Sequence, residues 1–500
     1  MFKAATDKVR VLCHRLRDIG DALTEVRLLA HSFTAPRVDY LLRATPVAWT
    51  RGAGLTEVLD DLVDMEIDRV IGPLSEDALA QARLPLRLGG LGIPAASAIH
   101  AAAFTDGVIG SWPLVHSGLD GAAPPGAADA WNALGREEPE VAAHGADAMR
   151  AIGAGVPLPA VALRESPLRR RVYEILAQKA AALPTRRGRL LQVAKHGSLG
   201  WIAPPPPGSR PFRVSASAFV SYSRYVLGSE FPTGHPCPMC GEVVAEQYGD
   251  HALCCGGDSN RLYRRHNAVR AALGAALEGA GFTTEYEVAI PGSAIRPADI
   301  LVRALNGCTT AIDVTVRNPL RQGEATRATP AGWRVAGCLT EAERAKGALY
   351  AAPCKAAGWS FVVAAVTTLG GQNGPMKRLI RTIAARVAQA TDTPVVAVTD
   401  SIRRSLSATI AQEVGEQLLH CEGKPVARWL APADVGRWDP LREDGPEPFD
   451  GEELEADTYP QSAAEGVVQP QVVGADAPRT AVKKSGKKQG TCGASAMEAE

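Results

Sequence analysis

Cys237-Pro238-Met239-Cys240, followed by His251 and Cys255, is a set of soft and borderline ligands at a spacing that suits one tetrahedral zinc ion. A C-x-x-C turn supplies two thiolates from a single tight knuckle, and a second element supplies the other pair across a loop that contains Gly241 and Gly249. Cys254 competes with Cys255 for the fourth position, and Asp250 stands beside His251, where it can orient the ring. Pro236 and Pro238 stiffen the knuckle. Cysteines buried as small hydrophobes beside a stray histidine are the plain alternative, weakened by the polar character of the segment.

Downstream, Arg296-Pro297-Ala298-Asp299 and Asp313-Val314-Thr315-Val316 put two aspartates on consecutive strand-like segments. Such a layout lets Asp299 and Asp313 converge on one divalent ion. Magnesium takes oxygen ligands and keeps several waters, so two carboxylates and a scissile phosphate suffice to hold it and to activate a water. A nearby lysine would position that water or offset charge in the transition state. Aspartates on strands also arise as caps and edge residues, which is the plain reading of either one alone. Between the cysteines and the aspartates runs Arg261-Leu262-Tyr263-Arg264-Arg265-His266-Asn267 with Arg270, a basic helix start with no acid in it. Arg264, Arg265, His266 and Arg270 are the candidate contacts to a nucleic-acid backbone, against the alternative of a solvated basic face.

The elements that must carry these residues can be read from periodicity. Val9, Leu12, Leu16, Ile19, Leu23 and Val26 predict one long amphipathic helix over the first thirty or so residues, and Leu55 to Ile71 a second. A glycine-rich turn, Leu88-Gly89-Gly90-Leu91-Gly92, leads into an Ala-rich helix near Ala95 to Phe104. Residues 1–112 form an all-helical unit, 113–165 an Ala/Gly/Pro-rich linker, and 166–230 a helical connector interrupted by the polyproline run Pro204 to Pro207. Residues 231–260 hold the zinc knuckle. Residues 261–432 read as an α/β core: a helix from Leu262 to Ala280, strands at Thr283 to Ile290, Asp299 to Val302 and Thr309 to Val316, a helix from Glu341 to Ala352, a strand from Ser360 to Thr368, then helices over Pro375 to Thr391 and Asp400 to His420, the last with Asp400 as its N-cap. Residues 433–500 are acidic and then polar, and are expected to be a disordered tail. The expected fold class is thus multi-domain α+β and α/β.

Lys+Arg and Asp+Glu both number 54, so any attraction to a polyanion must come from a local basic face. Ten cysteines with a C-x-x-C unit fit metal binding in a reducing compartment better than a disulfide framework. No signal peptide or membrane span is expected. The expected compartment is intracellular and, within the cell, the nucleus. The Lys483-Lys484-Ser485-Gly486-Lys487-Lys488 cluster is a candidate address, a solvated tail being the plainer reading of those lysines.

Taken together, Cys237 to Phe361 resembles the restriction-like endonuclease region of site-specific non-LTR retrotransposons, in which a zinc knuckle precedes an Arg-His-Asn helix, a P-D segment and a D-V-T-V strand. The corresponding residues are Arg265-His266-Asn267, Arg296-Pro297-Ala298-Asp299 and Asp313-Val314-Thr315-Val316. The resemblance implies a restriction-endonuclease-like core, a zinc ion on the knuckle, magnesium on Asp299 and Asp313, and DNA, with the RNA of the element, as partners. An alanine separates Pro297 from Asp299, and Thr315 stands where such cores carry lysine. In the retrotransposon branch a following helix supplies it in a pattern like A-x-x-K-x-x-x-Y, so Ala342 to Tyr350 implies Lys346 as the catalytic lysine, with Lys355 as the fallback. The helical unit at 1–112 is similar, more loosely, to the thumb of the same elements' reverse transcriptases. No aromatic-x-Asp-Asp turn of a polymerase palm occurs in the sequence, so the expectation is the C-terminal part of a retroelement polyprotein that nicks DNA but does not synthesise it. A non-catalytic, zinc-dependent nucleic-acid-binding remnant is the competing expectation.

Overall fold

The computed structural model describes residues 1–33, 35–116, 167–181, 188–190, 192–194, 199–204, 214–244, 247–257, 259–320 and 337–421. All of them lie in one compact unit, Met1–Arg442. The linker expected at 113–165 (apart from 113–116), the prolines after Pro204, the tail at 433–500 and its lysine cluster fall outside the described residues.

The fold is mixed α/β, largely helical with one small sheet. Its helices are α1 (Phe2–Leu16), α2 (Ala22–Leu28), α3 (Ala35–Ala44), α4 (Val47–Gly52), α5 (Leu55–Ile71), α6 (Glu76–Ala82), α7 (Ala96–His116), α8 (Pro167–Ala180), α9 (Ala216–Val226), α10 (Asp250–Cys254), α11 (Ser259–Gly279), α12 (Gly337–Ala356), α13 (Gly374–Thr391) and α14 (Val395–Cys421). Strands β1 (Thr284–Val288), β2 (Ala298–Leu305), β3 (Cys308–Arg317) and β4 (Ser360–Thr367) lie in that order across the sheet. The first two pairings are antiparallel, and β3–β4 is parallel with α12 between them in the chain.

Alternation along the strands gives the sheet two buried faces. Ile300, Val302, Ile312, Val314, Ala364 and Val366 point into the main core with Val269, Leu273 and Leu277 of α11 and with α13 and α14. Leu301 and Ala311 turn the other way, against Cys354 of α12, while Val363 and Ala365 meet Leu339 at the start of that helix. The main core is continuous with that of the N-terminal helices, through Val9, Leu16, Leu29, Leu59 and Ile67.

Helix α14 is the spine of the sheet half, packing on α9, α10, α11 and α13. Its approach to α9 depends on Gly415: a Cβ there would stand 2.2 Å from the carbonyl oxygen of Ala218. Two sequence expectations change locally. The single helix expected over the first thirty residues is two, because Gly20 is left-handed (φ 67°) and Asp21 caps α2, accepting from Thr24 N at 3.0 Å. Asp400 is no N-cap. The helix starts at Val395 behind Pro394, and Asp400 sits inside it, paired with Arg404 at 2.6 Å.

Candidate functional site

The knuckle is a short hairpin. Pro236 and Val243 bridge antiparallel, Cys237 N donates to Glu242 O (2.7 Å), and Gly241, left-handed at φ 76°, closes the turn with its N–H on Cys237 O (2.8 Å). The second ligand pair comes from α10, where His251 is the second residue and Cys255 the C-cap. Ligand atoms of Cys237, Cys240, His251 and Cys255 all lie within 4.8 Å of one another. Bonds of about 2.3 Å to sulfur and about 2.0–2.1 Å to nitrogen put tetrahedral ligands ~3.8 Å apart for two sulfurs and ~3.6 Å for sulfur and nitrogen. Cys237 Sγ is 3.8 Å from Cys255 Sγ, and Cys240 Sγ is 3.5 Å from His251 Nε2. The donor set thus fits a metal such as zinc. Cys254, the competing fourth ligand, is exposed and stands outside this group, so Cys255 completes it. Burial raises the Cys237 thiol, yet backbone N–H groups of Cys240 and Met239 outweigh it and bring it down to about 6, whereas burial and neighbouring thiols push Cys255 up to about 12. Metal uptake here must therefore release protons.

The two aspartates meet through a register detail. The β2–β3 hairpin turns at Asn306-Gly307, both left-handed (φ 50° and 80°), a pairing that favours a two-residue turn. The turn pairs Leu305 with Cys308; beyond it Ala304, left-handed at φ 57°, lies in an irregularity after which Val302 faces Thr310 and Ile300 faces Ile312. The shift is one residue. Continued one step, the ladder sets Asp299 opposite Asp313, on the face covered by α12. Without the shift Asp313 would oppose Ile300, and the two carboxylates would point to opposite faces.

Asp299 Oδ2 accepts from Val314 N at 2.6 Å, so its side chain lies along β3. Asp313, 5% exposed, accepts from Lys346 Nζ at 2.8 Å and from the Thr315 hydroxyl at 3.0 Å. Lys346 reaches down from α12, its ammonium 5.6 Å from the Tyr350 ring centroid, which accounts for the Lys-x-x-x-Tyr spacing as one helical turn. Lys355 lies nine residues further, about 13 Å along the same helix. Burial raises the Asp313 carboxyl above its ordinary range against the pull of Lys346, and Asp299 adds to the rise. Among the described residues only the Cys/His set groups three or more metal-ligating side chains; the aspartates are a pair.

The basic helix start is used differently from the sequence expectation. Arg265 is 4% exposed and donates to Gln417 Oε1 (2.8 Å) and to the Leu253 carbonyl. Buried there, it is not open to a phosphate. Arg264 pairs with Glu413 (3.1 Å) and Glu416 (2.7 Å) of α14, and Arg270 pairs with Glu287 and lies over Tyr286. The acidic partners of Arg264 on α14 are far away in sequence, which hid that pairing. His266 is turned to Asp299, Nε2 to Oδ1 3.5 Å, and stacks on the exposed Tyr263. Reading this segment by itself misses that placement; the signals for it are the position of His266 one helical turn after Tyr263 and the Arg265-His266-Asn267 run shared with the endonuclease resemblance.

Asp250, expected to orient His251, accepts from Arg189 (2.9 Å), Asn318 (3.1 Å) and Tyr225 (3.3 Å). Among the described residues no helix is long and apolar enough to cross a membrane. No protein-family model matches the chain, and a search of curated proteins finds none similar to it.

Proposed function

We propose that this chain is a metal-dependent DNA endonuclease of the restriction-like type, similar to that of site-specific non-LTR retrotransposons, with a zinc-bearing knuckle beside the cutting site. The observation that carries the reading is the convergence of Asp299, Asp313 and Lys346. Three residues from β2, β3 and α12 form one half-buried acidic pair with a lysine on it. Two aspartates that served as caps or edge residues would have no reason to face each other under a lysine.

In this reading Asp299 and Asp313 hold one magnesium ion, which supplies an activated water and charge neutralisation at the scissile phosphate. Lys346 balances the Asp313 charge in the free protein. With that carboxylate engaged elsewhere, its ammonium, 31% exposed, is free to orient a water or to meet charge building on the phosphate. Thr315 keeps the Asp313 carboxylate in one rotamer by its hydroxyl. Val314 N–H does the same for Asp299. DNA, and the RNA of an element, are the proposed partners, and the nucleus the proposed compartment.

The test is nicking of supercoiled plasmid by the zinc-loaded full chain in magnesium. The proposal expects conversion to open circles, stopped by a chelator and lost in Asp313→Ala and Lys346→Ala. DNA binding by all three proteins without nicking by any would favour the non-catalytic binding module instead.

A further inference from the structure

Helix α10 has five residues, too few to be stable by propensity alone, and it carries a metal ligand at each end, His251 and Cys255. Its last carbonyls are held from outside. Gln417 Nε2 donates to Ala252 O at 2.9 Å, and the Arg265 guanidinium donates to Leu253 O at 3.5 and 3.4 Å while also donating to Gln417 Oε1 at 2.8 Å. Gln417 is fully buried and Arg265 nearly so. The residue after Arg265 is His266, whose ring meets Asp299. At its other end α10 presents Asp250, which accepts from Asn318, the residue that follows the last position of β3.

We propose that the zinc helix braces the cutting site, with Arg265 as a positioning residue that fixes His266 against Asp299, and Asn318 steadying the end of the strand that bears Asp313. The chemical consequence rests on the endonuclease reading; the brace itself does not. Ordering α10 by metal sets the Leu253 carbonyl, the carbonyl sets the guanidinium, and the guanidinium sets the register of the first turns of α11 over the sheet end. The contacts of Arg265 with Leu253 O and Gln417, and of Gln417 with Ala252 O, are buried hydrogen bonds, so loosening one leaves polar groups unpaired and shifts its neighbours. A phosphate clamp at Arg265, the expectation from sequence, makes the opposite kinetic forecast.

The test compares full-length zinc-loaded parent, Arg265→Met and Arg265→Lys in plasmid nicking at several salt concentrations, together with the His266 imidazole resonances during zinc titration. The brace predicts that Arg265→Met lowers kcat at least tenfold with KM for DNA and its salt dependence unchanged, and that Arg265→Lys recovers part of the loss. It predicts that the His266 resonances follow zinc in the parent and cease to follow it in Arg265→Met. A rise in KM with a shallower salt slope and unchanged kcat, or His266 resonances indifferent to zinc, overturns it. Should Arg265→Met fail to fold, Gln417→Met and the parent's zinc titration decide the same question. Should the parent cut no DNA while His266 still follows zinc through Arg265, the endonuclease reading fails and the brace stands.

Discussion

Ala304 lies at the irregularity that puts both carboxylates on one face, and two changes there separate its backbone cost from its topological effect. It is an exposed alanine at φ 57°, a region that costs a side chain about 1–2 kcal/mol. Glycine avoids that clash but loses about 0.5–1 kcal/mol to chain entropy. Ala304→Gly is thus expected to stabilise the protein by about 0.5–1 kcal/mol and to leave nicking intact. Inserting one alanine between Ala304 and Leu305 moves the register. With the Asn306-Gly307 turn kept, β2 slips by one residue, so that Ile300 falls opposite Asp313 and the side chains of Ile300 and Val302, both fully buried, turn away from the main core at about 1.5–3 kcal/mol each. The slip also sends Asp299 and Asp313 to opposite faces. The insertion should therefore cost about 3 kcal/mol or more in urea denaturation and abolish nicking. An insertion variant as stable and as active as the parent would refute the register argument, and an Ala304→Gly variant less stable than the parent would refute the strain assigned to that position.

Four further outcomes are expected. Cys255→Ala should release zinc, measured with a chromogenic chelator, whereas Cys254→Ala should retain it, since only Cys255 lies within the ligand group. Asp313→Asn should abolish nicking yet flatten the pH dependence of stability: a carboxyl whose folded value is raised binds its proton more tightly in the native state, so the parent loses stability as pH rises above 3.8 through the folded value. Arg264→Ala leaves Glu416, 3% exposed, without this partner, and should cost about 2 kcal/mol by chemical denaturation, below the ~3–5 of a fully buried pair because Arg264 is half-exposed. Gly415→Ala should destabilise by about 2 kcal/mol, since overpacking against the Ala218 backbone costs about 3 while helix propensity returns about 1; Gly347→Ala, with nothing within 4 Å, should gain about 1.

Much of this arrangement is legible in the sequence. The apolar period of Leu55 to Ile71 marks helix α5 to its ends, and the β-branched run Thr309 to Val316 marks β3 within a residue. The C-x-x-C spacing with His251 and Cys255 leads to the ligand group, because four ligands within twenty residues leave few ways to close a tetrahedron. What periodicity cannot see is register. Whether Asp299 and Asp313 share a face depends on one irregular residue, Ala304, whose left-handed backbone carries no compositional mark. The Asn306-Gly307 turn beside it was a readable signal for the hairpin. Long-range charge pairing is equally hidden: Arg264 and Arg265 look like a free basic surface until α14 brings Glu413, Glu416 and Gln417 beside them. Sequence places the start of α14 too late because Asp400 makes a good cap in isolation, while Pro394 starts the helix earlier.

The claim on which the account turns is that Asp299 and Asp313 share one hard cation. Counting Mn2+ bound to the zinc-loaded full chain by electron paramagnetic resonance, in the presence of an uncleavable DNA duplex, addresses it without relying on turnover. One bound ion in the parent, lost in both Asp299→Asn and Asp313→Asn and kept in Lys346→Met, is the predicted result. An ion that survives either aspartate substitution with unchanged affinity would contradict it.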